Sequence, residues 1–160
     1  MKIALGSDHR GDTAVQALVT TLQKMGHETV VLAECRGQTC DYPDNAYRVA
    51  KAVADGEFDR GILICGSGVG MSIAANKVPG VRAVLACDDL HARLGRSHND
   101  ANVLCMGADT TGAKDQGTIA QTFLTTEFEG GRHARRVAKM AVIERGEDPA
   151  TASSMDAAVG

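Results

Sequence analysis

Short apolar runs punctuate the chain around Ile3-Ala4-Leu5, Val30-Val31-Leu32, Ile62-Leu63-Ile64, Val84-Leu85-Ala86 and Val103-Leu104-Cys105. Their length and composition predict buried strands at 2–5, 28–32, 62–64, 82–86 and 103–106. Between them, apolar positions return at helical spacing. Ala14, Val15, Leu18, Val19 and Leu22 predict an amphipathic helix over 12–25, closed by Gly26. Further helices are predicted at 44–54, at 71–77, from an Asp88-Asp89 cap to Arg96, at 113–126 and at 133–144. Beyond Gly146 the periodicity is lost among Pro, Ala, Ser and Gly, so 1–146 reads as one domain and 147–160 as a disordered tail.

Strands alternate with helices throughout. That pattern predicts an α/β protein: a three-layer αβα, Rossmann-like, five-stranded parallel sheet with an extra C-terminal helix. The expected strand order is the flavodoxin-like 2-1-3-4-5. In such sheets ligands bind at the carboxyl ends of the strands, where the order reverses, here between strands one and three. Asp8-His9 follows strand one and Cys65-Gly66-Ser67 follows strand three, so two separate stretches converge on one crevice.

The second of these stretches is the most distinctive in the chain. A strand ends at Cys65, glycines follow at 66, 68 and 70, and a helix begins. Strand, glycine loop and helix together aim free backbone N–H groups at an anion. A thiol beside those donors is expected to favour the thiolate. The spacing G-x-G-x-G does not fit the dinucleotide fingerprint, and no Lys follows to make a P-loop. From this stretch alone, a tight turn with a buried structural cysteine remains an alternative.

Composition narrows the classes. The formal net charge of the 160 residues is −3, which gives no basic footprint for nucleic acid. No apolar run approaches membrane-spanning length, and no signal pattern opens the chain. The five cysteines include no CxxC pair, and Cys35 and Cys40 lack a second ligand pair for zinc. The expectation is reduced thiols in a cytoplasmic protein. Trp is absent, which argues against a base-stacking surface.

Five separated motifs carry a resemblance. They are Gly6-Ser7-Asp8-His9, Asp41-Tyr42-Pro43, the run from Cys65 to Gly70 with Ala74-Ala75-Asn76-Lys77, the run from Ser97 to Leu104, and Gly130-Gly131-Arg132-His133. In this order and spacing the chain, from Met1 to about Arg145, resembles the ribose-5-phosphate isomerase B family, which includes galactose-6-phosphate isomerase subunits.

The resemblance implies an aldose–ketose isomerase of sugar phosphates that needs neither metal nor cofactor. It implies a homodimer or dimer of dimers with sites shared between subunits. By position, Cys65 is the expected base and Ser67 contacts the enediol oxygens. The N–H groups of Gly66, Gly68 and Gly70, with Asn99, stabilise the enediolate. His98 opens the sugar ring, Asp8 and Tyr42 lie on the sugar, and His9, Arg132 and Arg136 hold the phosphate. Met71 stands where one branch of the family carries a Glu base, so the chain follows the cysteine branch.

The residue types suit this chemistry. Enolisation needs a base poised near working pH and donors aimed at the developing oxyanion. Arg132 and Arg136, four apart, lie on one helical face and can clamp a phosphate. Taken singly, His98 could cap a helix and Arg132, Arg135 and Arg136 could form a solvated face. One residue departs from the family pattern. Asp109 stands where family members commonly carry Arg as a further phosphate contact, with Arg135 or Arg10 as candidate replacements. This departure keeps open another sugar phosphate, hexose or tetrose, or a non-catalytic binding role.

Overall fold

A computed structural model describes residues 1–150. Its elements are β1 (Lys2–Ser7), α1 (Asp12–Lys24), β2 (Glu28–Ala33), α2 (Tyr42–Ala54), β3 (Arg60–Cys65), α3 (Val69–Ala75), β4 (Ala83–Leu85), α4 (Asp89–Asn99), β5 (Val103–Gly107), α5 (Ala113–Thr125) and α6 (Arg132–Glu144). All strand pairs are parallel. The expected alternation is present, with helices on both faces. Most of the expected tail, 151–160, lies outside the described residues. Its first part is held locally, with Lys139 Nζ donating to the Pro149 carbonyl at 2.9 Å.

Strand side chains alternate between two cores, as the period of two requires. Ile3, Leu5, Ile62, Ile64, Leu104 and Met106 face α1, α4 and α5, packing on Val15, Leu22, Ala92, Ile119 and Phe123. Ala4, Leu63, Cys65, Val103 and Cys105 face α2 and α3, packing on Val49, Val53, Met71 and Ala75. The α6 helix lies against α4.

The strand order is β2-β1-β3-β5-β4, which corrects the expected 2-1-3-4-5 at one end. Parallel crossovers are right-handed, so a step one way along the sheet puts its helix on one face and a step back puts it on the other. The α3 crossover steps outward past a vacant place. The α4 crossover then steps back, so α4 joins α1 and α5 rather than α2 and α3. Burial explains the swap. Every residue of β5 is buried, as a central strand requires, whereas three-residue β4 is only half-buried, as suits an edge.

A second correction concerns the thiols. Cys35 and Cys40 are joined as a disulfide in the loop before α2, against the expectation of five reduced cysteines. Cys65, Cys87 and Cys105 are free.

Candidate active site

At the carboxyl edge, β3 delivers Cys65 to the surface of the core with 5% of its area exposed. The chain turns at once, and the Gly68 N–H donates to Cys65 Sγ at 3.1 Å. Gly68 makes this turn with φ +77°, and an added Cβ would lie 2.6 Å from Leu85 Cδ1 and 2.8 Å from the Met106 carbonyl carbon. Backbone conformation and space therefore both exclude a side chain there. The loop carries Ser67 in the open, and the Val69 N–H approaches its Oγ at 3.4 Å. Met71, one turn on, is fully buried and takes no part in the surface.

The neighbouring loops complete this edge. Asp8 is buried, and its Oδ1 accepts the N–H groups of Arg10 and Gly11 at 2.9 and 3.1 Å. That carboxylate oxygen fixes the loop after β1, leaving His9 exposed beside it. Tyr42, the first residue of α2, lays its ring against Gly70, where a Cβ would meet ring carbons at 2.6 Å. Asn45, one turn along α2, donates to the Ser7 carbonyl at 2.7 Å and ties α2 to the end of β1.

Arg10 crosses this edge to Asp109. Its Nε and Nη2 both lie 2.7 Å from Asp109 Oδ2. Hydrogen bonding from Arg10 holds the Asp109 carboxyl below its usual range, and Asp109 in turn raises Arg10. Asp109 is thus a paired charge, and its partner is Arg10.

The remaining expected site residues gather at the opposite, amino edge. His98 and Asn99 are the last two residues of α4, not a loop beyond it. Arg82 Nε donates to the Asn99 and Asp100 carbonyls at 2.9 and 3.0 Å, pinning this helix end beside the start of β4. Arg96 is buried at 3% exposure and donates to Asp100 Oδ1 and the Ala101 carbonyl, each at 2.7 Å. Asp100 itself turns the chain with φ +46°. Arg132 opens α6 and Arg136 follows one turn later, both exposed.

Two residues here carry no role in the sequence reading, although His133 closes the fifth motif. His133 stacks on His98 and accepts from Arg132 Nε at 3.4 Å, while Glu129 Oε2 lies 3.6 Å from the same His133 nitrogen. Burial, then His98 and Arg132, push His133 below the usual histidine range. The ligand atoms of His98, Glu129 and His133 lie within 4.8 Å of one another. The two imidazoles are stacked 8° from parallel, so their ring planes do not meet within bonding distance of the nitrogens, where a metal would have to sit. Neither His133 nor Glu129 carries a spacing signal, since they meet His98 only through the packing of α6 on α4.

Elsewhere in the sheet, burial drives the Cys105 thiol far up, which leaves it protonated beside the Cys65 strand. Among the described residues, no helix is long and apolar enough to cross a membrane.

Comparison with known proteins now decides the family. The model of a family described as Ribose/Galactose Isomerase matches residues 3–140. The chain belongs to the ribose/galactose isomerase family. It is a sugar-phosphate isomerase, and its relatives cover nearly its whole length. It is 44% identical over 144 residues to ribose-5-phosphate isomerase B of Escherichia coli, covering 90% of this chain and 97% of that one. The solved ribose-5-phosphate isomerase B of Clostridium thermocellum is 46% identical, with a TM-score of 0.87 over 91% of this chain and 99% of that one. D-erythrulose-4-phosphate isomerase of Pectobacterium atrosepticum is 37% identical over 148 residues, 92% of this chain and 97% of that one.

Proposed function

We propose that this protein interconverts ribose 5-phosphate and ribulose 5-phosphate by metal-free proton transfer, at sites shared between two copies of the chain. The observation that carries the reading is the division of its chemistry between two edges. Asp8, His9, Tyr42, Cys65 and Ser67 lie at the carboxyl edge; His98, Asn99, Arg132 and Arg136 lie at the amino edge. From Arg60 to Cys65 the strand rises roughly 17 Å, too far for one small sugar to bridge. A two-fold pair that sets one subunit's carboxyl edge against the other's amino edge makes two equivalent, complete sites.

In such a site the partner subunit's His98 opens the sugar ring, and Arg132 and Arg136 of the partner subunit hold the phosphate with His9. Asp8 and Tyr42 flank the sugar. The Cys65 thiolate takes the proton from C2 of the open aldehyde, the C1–C2 bond becomes double and O1 takes the charge. N–H groups of Gly66, Gly68 and Gly70, the Ser67 hydroxyl and the partner subunit's Asn99 stabilise that oxyanion. The thiol then returns that proton to C1, and the proton on the C2 oxygen passes to O1, giving the ketose with no net gain of protons or electrons. The Gly68 N–H, 3.1 Å from Sγ, supports this role by holding the sulfur in place at the mouth of the glycine loop.

The identity with ribose-5-phosphate isomerases B favours the five-carbon substrate, whereas the erythrulose-phosphate relative keeps a four-carbon one in view. The test is a panel of tetrose, pentose and hexose phosphates assayed for aldose–ketose conversion without added metal. Highest kcat/KM on ribose 5-phosphate supports the assignment. A clear preference for a four- or six-carbon phosphate reassigns the substrate, and no turnover on any of them refutes the enzyme reading.

A further inference from the structure

The corrected strand order has a chemical outcome at the carboxyl edge. β3 lies between β1 and β5, and its crossover helix packs on the face opposite to α1 and α5. The sheet therefore opens a crevice on each side of the Cys65 loop. The loops leaving β1 and β5 meet across it through Arg10 and Asp109, 99 residues apart in sequence. The pair rests directly on Gly66, where a Cβ would lie 3.0 Å from Asp109 Oδ2 and 3.2 Å from Arg10 Cδ and Nε. Gly66 is the residue after Cys65, so the guanidinium is anchored one residue from the thiol.

We propose that Arg10 is a substrate-binding residue that grips the phosphate, and that Asp109 is its positioning residue. This rests on the sugar-phosphate reading above and extends it to a cation within the Cys65 half of the site. Both ends of the Arg10 side chain are held. Its main-chain N–H and that of Gly11 are fixed by Asp8 Oδ1, and its guanidinium is fixed by one Asp109 oxygen. Guanidinium has five N–H donors. Asp109 engages Nε and Nη2, and among the described residues no other acceptor takes the rest, including both donors of Nη1. The side chain is 56% exposed. A fork held in advance loses little freedom when it grips a phosphate, and it presents two parallel donors to two oxygens. Asp109 is thus the anchor of a cation rather than a charge set against the substrate.

The test measures binding of inorganic phosphate by calorimetry, and KM and kcat for ribose 5-phosphate, in the wild type, Arg10→Gln, Asp109→Asn and the double variant. Arg10→Gln is expected to weaken phosphate binding and raise KM by about tenfold to a hundredfold, the worth of a charge-assisted bond, with a smaller change in kcat. Asp109→Asn is expected to weaken both by less, and the double variant to be no worse than Arg10→Gln alone. An Arg10→Gln protein with phosphate affinity within about twofold of wild type overturns the substrate contact. Tighter phosphate binding in Asp109→Asn overturns the positioning role. Because phosphate binding is read without turnover, a wild type that binds phosphate yet isomerises no sugar tells against the isomerase reading and leaves the Arg10 result standing.

Discussion

The imidazoles of His98 and His133 stack with centroids 4.1 Å apart and planes 8° from parallel. The contact fixes the ring expected to open the sugar and ties it to α6, whose first residue Arg132 donates to His133. Burial, His98 and Arg132 hold the His133 proton affinity down, and Arg136 acts in the same sense, while Glu129 opposes them. Below the usual histidine value near 6.5, the unfolded chain therefore binds this proton more readily than the native one. Stability from this group is complete above about pH 6.5 and is lost as pH falls through the lowered native value. His27, displaced downward by burial and the chain's amino terminus, acts in the same direction. Denaturant midpoints are expected to fall between pH 7.5 and pH 5, and to fall less in His133→Phe, which keeps a stacking ring without a titrating nitrogen. An unchanged pH slope in that variant removes His133 from the account.

Cys65→Ala is expected to abolish turnover while leaving phosphate binding close to wild type. A base acts in the transition state and contributes little to ground-state affinity. Its loss costs on the order of 10²–10⁴-fold in rate. Steady-state kinetics beside calorimetry makes the comparison, and near-normal kcat would remove Cys65 from the role.

Mixing two inactive variants tests whether sites are shared. Cys65→Ala and His98→Ala are unfolded together and refolded. With random pairing, half the dimers are mixed and each mixed dimer holds one intact site of two, so about a quarter of wild-type activity returns. Proven subunit exchange without recovery would place the whole site within one chain.

The salt-bridged corner before β5 provides a stability test. Asp100 pairs with buried Arg96 at 2.7 Å and with Arg82 at 2.9 Å. Asp100→Ala strands the Arg96 charge and is expected to cost roughly 3 kcal/mol, the lower end for breaking a buried pair. The same change loosens the Arg82 clamp on Asn99, so kcat is expected to drop even where the variant remains folded. Chemical denaturation and activity at low temperature separate the two effects, and a loss below about 0.5 kcal/mol, as for a surface pair, would show Arg96 to be solvated.

The sequence by itself determined more of this protein than its strands and helices. In a parallel sheet each strand runs one way and each crossover returns, so chain order alone assigns a residue to an edge. Cys65, which ends a strand, falls at one edge. His98 and Arg132, which end and begin helices, fall at the other. The glycine loop was equally legible from glycines at 66, 68 and 70, although only Gly68 is there for its positive φ, while Arg10 with Asp109 and the Tyr42 ring crowd Gly66 and Gly70.

Lateral order is different. Hydrophobic period records that a strand is buried, not which strand lies beside it, and β4 and β5 read alike as short apolar runs. Only packing placed β5 in the centre, where both its faces find a core, and left three-residue β4 at the edge. That choice brings the loop of Asp109 next to the Cys65 loop and within reach of Arg10. It also explains why an acid that looks misplaced in sequence is neutralised in the fold. His133 and Glu129 reach His98 in the same way, through the docking of one helix on another. No local spacing encodes such contacts, because their free energy belongs to surfaces that exist only once the chain has folded.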